Sequence, residues 1–220
     1  MTALRADLDL AALTANATDA GDVADLRRDA WGHGIDAVAR ALARAGVRAA
    51  RVDPGDRAAV TAAGLTAIDA EPTIDGRLLF GLPHAPVMRV STRVLAVKRL
   101  LAGEGVSYGY THRAPVDTRI ALIGGGYGQG VVRSLGNSIR VEIGGALHPV
   151  VGRVAMDVCV VDVSDAPVAV GDEVVHFGGD GPARGSLATW EAASGLSATE
   201  LVCAVGLRAS GLRAQGADAA

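Results

Sequence analysis

The chain has 220 residues, half of them hydrophobic, with a formal net charge of -3 and a pI near 5.9. That is enough apolar material for a substantial core, which argues against disorder, and the mildly acidic balance gives no clustered basic face for nucleic acid. Only Cys159 and Cys203 are present, no apolar stretch approaches the roughly 18 residues of a membrane span, and the N-terminus lacks the apolar core of a signal peptide. A cytoplasmic protein without a disulfide framework is the expectation.

The first part alternates short β-type and helix-type runs, the pattern of βα units around a parallel sheet. Leu4 to Leu10 reads as a strand, Ala11 to Ala17 as a short helix and Val23 to Arg28 as a second strand. Ile35, Val38, Ala39 and Leu42 recur at helical spacing, so a helix is predicted over Ile35 to Ala45 with Gly46 as its stop. Val47 to Val52 is a third strand. Asp56 caps a helix running to about Ala63, and Gly64 closes it before a fourth strand at Leu65 to Ile68. Asp69 to Arg77 is turn-like, with Pro72, Asp75 and Gly76. Leu78 to Leu82 is taken as a fifth strand, and Pro83-His84-Ala85-Pro86 as a domain boundary.

From Val87 the texture changes to β-branched runs separated by glycine, proline and aspartate, which predicts a β domain. Its strands are placed at Met88 to Leu100, Arg119 to Leu122, Ser138 to Ile143, Ala146 to Val150, Val158 to Asp162 and Glu173 to Phe177. One helix is predicted from Leu187 with Ser186 as N-cap, and another over Thr199 to Val205 after the Ser197 cap. From Ala209 there is little to bury, so residues 209–220 are expected to fray as a disordered tail. Gly124, Gly125 and Gly126 lack the lysine-containing ending of a phosphate loop and read as a turn. His33 sits between Gly32 and Gly34, where a tight turn would have its ring bond backbone. His84, His112, His148 and His176 lie at spacings that do not match a zinc site, and no metal is expected.

Two blocks resemble the alanine racemase family. The first is Arg5-Ala6-Asp7-Leu8-Asp9-Leu10 through Asn16 together with Asp29-Ala30-Trp31-Gly32-His33-Gly34, which is similar to the family's opening βαβα and its K-A-D-A-Y-G-H-G motif. The second comprises Val97-Lys98-Arg99, Gly105-Val106-Ser107-Tyr108-Gly109, Arg113-Ala114, Gly126-Tyr127-Gly128, Val150 to Asp157 and Val170 to Val174, which follow the family's β domain along nearly its whole length. The resemblance implies a truncated TIM-barrel-like βα part over residues 1–86, joined to an alanine-racemase-type β domain over 87–208. An eightfold barrel takes roughly 200 residues or more, so its middle units are absent. Leu78 to Leu82, within Arg77 to Leu82, would correspond to the family's last barrel strand. An open sheet would leave edges, and the family is dimeric, so a homodimer is expected.

The resemblance also assigns residues. Arg27 stands where the family carries the lysine that holds pyridoxal phosphate, and the one lysine of the chain, Lys98, lies in another motif. A guanidinium stays charged and cannot form a Schiff base. Trp31 replaces the tyrosine that bonds the cofactor phosphate. Tyr108 matches the second acid/base, which reaches the partner subunit's site, or is a retained fold residue. Met156 and Asp157 match a pair that helps bind the substrate carboxylate, with core packing the other reading for Met156. Tyr127 matches an entrance-channel tyrosine, or fills space beside the glycines. Arg27 is read as a carboxylate or phosphate clamp, or as an ion-paired surface arginine. Three functions follow. The leading one is a non-racemising homodimer that takes no cofactor and binds a small anionic metabolite or amino acid, or serves as an interaction module. The second is an active pyridoxal-phosphate racemase, and the third is altered chemistry at a dimer interface around Tyr108, Asp157 and Arg27.

Overall fold

The computed structural model describes residues 4–209 and 212–215. The chain opens with β1 (Arg5–Asp9) and α1 (Leu10–Ala17), whose Ala12 amide is capped by Asp9 Oδ1 at 2.9 Å. Then come β2 (Val23–Asp25), α2 (Arg27–Gly32), α3 (Ile35–Arg44), β3 (Ala49–Arg51), α4 (Arg57–Ala62), β4 (Thr66–Ile68) and α5 (Gly76–Leu79). The helical spacing read from the sequence is what builds α3. Ile35, Val38, Ala39 and Leu42 are all buried, Asp36 and Arg44 complement the helix dipole at its ends, and Gly46 follows at φ +88°. β2, β3 and β4 form a parallel sheet in that order.

Two expectations for this part are corrected. Val23 to Arg28 is strand only to Asp25, because the backbone turns left-handed at Arg28, with φ between 52° and 58° from there to Trp31. Leu78 to Leu82 is not a strand. Asp75 Oδ1 accepts the Arg77 amide at 2.8 Å and starts α5 instead, which buries Leu79 and leaves Leu78 exposed.

The second part holds β5 (Met88–Leu100), β6 (Gly105–Val106), β7 (His112–Arg113), β8 (Thr118–Gly124), β9 (Arg140–Ile143), β10 (Ala146–Pro149), β11 (Val158–Asp162), β12 (Glu173–Phe177), α6 (Ser186–Ser194), α7 (Ala198–Gly206) and β13 (Leu212–Gln215). An eight-stranded sheet runs β10-β9-β12-β5-β1-β13. The long β5 changes partners near Leu95, where its register shifts, so that its second half pairs with β8 and β8 with β11. β1 thus lies across the boundary expected at residues 86 and 87, antiparallel to β5 from the other side of it. One apolar core joins the two parts and includes Leu4, Leu13, Phe80, Met88, Phe177 and Trp190.

The C-terminal helices differ in their starts. Gly185, not Ser186, occupies the N-cap of α6, and no side chain caps it. Ser197 caps α7 as expected, in a reciprocal capping box with Glu200. Within the tail expected to fray, Leu212–Gln215 pairs in parallel with β1. Residues 210, 211 and 216–220 of that tail lie outside the described residues. Among the described residues both cysteines are free, and no helix is long and apolar enough to cross a membrane.

Candidate functional site

The turn after β2 carries Arg27 and Trp31. Arg27 folds back on Asp25, with Nε 2.9 Å from Oδ1 and Nη2 2.6 Å from Oδ2. Burial pushes the Asp25 carboxyl upward, but the hydrogen bonds from Arg27 outweigh it and hold the group below the ordinary carboxylate range. Of the two readings offered for Arg27, the ion-paired arginine is the one the geometry fits. Four consecutive non-glycine residues in the left-handed region cost about 1–2 kcal/mol each, so the surroundings must fix the turn. Asp53 Oδ2 accepts the Arg28 amide at 2.7 Å, and Asp29 Oδ1 accepts that of Ile35 at 2.7 Å.

His33 completes this scaffold. Its ring is buried, stacks on Phe80 with centroids 4.1 Å apart, and places Nδ1 3.0 and 3.1 Å from the carbonyls of Ala30 and Trp31. Burial lowers its pKa to about 4, so the ring is neutral near pH 7 and Nδ1 carries the donated proton. The expected structural use of His33 is what is seen. The Trp31 ring lies on Phe80 at 5.2 Å and over Gly76, where a Cβ would come within 2.2 Å of the indole.

A second cluster lies in the β domain. At Gly126 the chain runs against the 155–156 backbone so closely that a Cβ would sit 2.3 Å from the Met156 carbonyl oxygen. Tyr127 and Gly128 donate their amides to Ala155 and Met156, each at 2.9 Å. The glycine run is not a turn throughout, since Gly124 ends β8 paired with Val158, and the close approach at Gly126 sets Tyr127 beside Met156 and Asp157. Met156 is 55% exposed, which removes the core reading. Tyr108, 67% exposed, sits on a turn that rests on the next loop, where Ser107 Oγ donates to the Arg153 carbonyl at 2.5 Å.

Arg133 connects these pieces. Its guanidinium lies 5.7 Å from the Tyr127 ring centroid and, with Arg153, Thr111, Ser134, Gly136 and Asn137, lines a cavity of about 440 Å³. Asn137 braces the wall, donating to Thr111 Oγ1 at 3.1 Å and accepting the Gly152 amide at 2.6 Å. Among the described residues neither Arg133 nor Arg153 has a carboxylate within ion-pair distance. Sequence reasoning quoted Arg153 inside its motif without giving it a role, and it passed over Arg133 and Asn137. Their only signal was nearness to glycine turns. Arg27 and Trp31 do not join this cluster within the chain. α7 lies between, with Gly32 packed on Gly206 and Gly130 on Ala204.

Residues 87–211 match the family model described as alanine racemase, C-terminal domain. The chain belongs to that family. An alanine racemase of Chlorobaculum tepidum is 45% identical over 128 residues, which cover 58% of this chain and 33% of the relative. One from Mycobacterium ulcerans is 52% identical over 95 residues, 42% of this chain and 24% of the relative. The matched stretch thus spans about a third or less of these curated relatives. Among solved structures, alanine racemase from Streptomyces coelicolor A3(2) superposes with a TM-score of 0.77 at 21% identity, covering 96% of this chain and 97% of that one. That from Bartonella henselae, with covalently bound pyridoxal phosphate, gives 0.80 at 16% identity, with 97% and 99% covered. Family membership and these likenesses bear out the expected fold, a βα part joined to an alanine-racemase-type β domain. Among the described residues no group of three or more His, Cys, Asp or Glu side chains could hold a metal ion.

Proposed function

We propose that this chain binds a small carboxylate-bearing anion, an amino acid included, in the cavity between Arg133 and Arg153, and that it does so without racemising it. The observation that carries the reading is two guanidiniums facing one cavity with no acidic partner among the described residues. Arginine forks match carboxylate geometry, and an unneutralised pair favours a bound anion. Tyr127 stacks on one of them, outside the cavity's own lining.

Pyridoxal phosphate does not fit the residues present. Its aldehyde requires a primary amine, whereas Arg27 occupies the motif position and is held by both oxygens of Asp25. Lys98 is on β5, in the other sheet, beside Ser107. The Arg28 amide at the turn is spent on Asp53, and Trp31 offers an indole N–H in place of a hydroxyl. We further read the protein as a homodimer, since the exposed Tyr108 suits a contact with a second copy.

Calorimetric titration of acetate and L-alanine into the wild-type chain, Arg133→Gln and Arg153→Gln tests the site. Binding should weaken at least tenfold in each variant, and unchanged affinity would overturn the assignment. In parallel, protein mixed with pyridoxal phosphate should develop no borohydride-sensitive absorption band and form no D-alanine. If both appear, and Tyr108→Phe abolishes the turnover, the chain is a working racemase and the reading fails.

A further inference from the structure

Residues of β8 and β11 alternate between two faces of their sheet. Ala121, Ile123, Cys159 and Val161 are buried in the main core. The opposite face should be polar, because an antiparallel sheet with one face on a core turns the other to water. It is apolar instead. Ala96 stands opposite Leu122, Leu122 opposite Val160, and Ile120 opposite Lys98. The hairpin of β6 and β7 covers one end of this face, where Leu100, Val106, Ala114, Ile120 and Val151 form a small second cluster. Beyond it Ala96 is exposed, and Leu122 and Val160 are only half-buried.

The uncovered stretch is a pocket of about 320 Å³, which takes Ala96, Ile120, Leu122 and Val160 from the sheet and Val106 and Ser107 from the hairpin. That size lies at the small end of the roughly 300–1,000 Å³ usual for small-molecule sites. Among the described residues Lys98 is the only charged group of the lining, and no carboxylate stands within ion-pair distance of it. It is also the one lysine among 21 lysines and arginines. Ser107 spends its hydroxyl proton on the Arg153 carbonyl, so an anionic head entering here meets the ammonium as its side-chain donor. The lysine stem is itself apolar and continues the wall. An apolar surface ending in one unneutralised cation fits a ligand with an apolar tail and a singly charged anionic head. A phosphate monoester carries about −1.5 to −2 at pH 7, more than one ammonium balances.

We infer that this pocket binds a short straight-chain monocarboxylic acid, with its carboxylate on Lys98 and its tail across Leu122 and Val160. The site shares no lining residue with the cavity of Arg133 and Arg153. The test follows the backbone amide resonances of Ala96, Leu122 and Val160 in isotope-labelled full-length protein during titration with butyrate, hexanoate, hexanol, hexylamine and hexyl phosphate. Each methylene buried tightens binding by up to about fourfold, so hexanoate should bind well ahead of butyrate. Because Lys98 is exposed, its charge should favour hexanoate over hexanol by only about fivefold. Lys98→Met keeps an apolar stem, and it should erase that preference while leaving hexanol binding unchanged. Equal affinity for butyrate and hexanoate, a preference that survives in Lys98→Met, or hexylamine binding as tightly as hexanoate would each overturn the assignment. Tighter binding of hexyl phosphate would overturn the choice of a carboxylate head. Shifts that follow protein concentration and ignore hexanoate would give the face to a second copy of the chain, and the inference would fail. The anion cavity is read separately, at the resonances of Asn137 and Arg153, so failure here and failure there are distinguishable.

Discussion

The βα part and the β domain are held in different ways. In the β domain, backbone runs against backbone. A Cβ on Gly126, Gly130, Gly136 or Gly178 would lie 2.3–2.4 Å from a carbonyl oxygen of another segment, so these crossings exist only because the side chain is missing. The separate sheet of the βα part has three strands of three residues each, and its edge strand β2 is covered by its own chain, with Thr73 and Ile74 donating to the Val23 carbonyl. Gly46 of this part meets nothing within 4 Å and serves only the dihedral angle. Crossings without room for a side chain occur in the βα part as well, at Gly81 against Ala85, but only the βα part carries four consecutive left-handed residues without glycine, Arg28 to Trp31, restrained by buried side chains.

The largest effect expected is on pH dependence, and it compares the regions directly. His33 in the βα part and His176 in the β domain are both fully buried, with burial lowering each pKa to about 4 from an ordinary 6.5. Both are neutral when folded, while the unfolded chain takes up protons first as pH falls. Stability is therefore complete above pH 6.5 and is lost as pH drops toward 4, by roughly 3 kcal/mol per histidine at most. Urea unfolding across that window should show the loss, and His33→Gln and His176→Gln should each remove about half the slope. If one variant removes all of it, the two regions do not unfold as a unit.

Next in size is Gly126→Ala, which at φ -139° suffers no dihedral penalty and must push two loops apart. A destabilisation of about 2 kcal/mol is expected from overpacking, with weakened anion binding as Tyr127 leaves Met156. Smallest is Gly46→Ala in the βα part, where nothing lies within 4 Å and the φ of +88° alone costs about 1 kcal/mol. Equal losses for the two alanine variants, measured by denaturant midpoint, would break the distinction drawn between the regions.

Much of the molecule was legible beforehand where periodicity spoke clearly. β5, β11 and β12 run between the residues predicted for them, α3 begins where its apolar spacing begins, and Ser197 caps α7. The run Leu78 to Leu82 was misread because four apolar side chains around Gly81 carry no period, and the Asp75 cap decides for helix. Met156 looked equally suited to core or site until its exposure was seen. The arginines of the cavity were not legible. Arg133 and Arg153 are twenty residues apart and converge only because glycine turns fold their loops together.

By itself, the order of residues determined the family, the change of texture near Val87 and the presence of an arginine at residue 27, after β2. These are local facts, written in spacing and side-chain chemistry. Only the tertiary structure decided that β1 joins the sheet of the β domain, that Arg27 is spent on Asp25, and that Asp7 keeps one oxygen without a donor. Those outcomes depend on which groups meet across distant parts of the chain, and a carboxylate's partners are fixed by proximity in space.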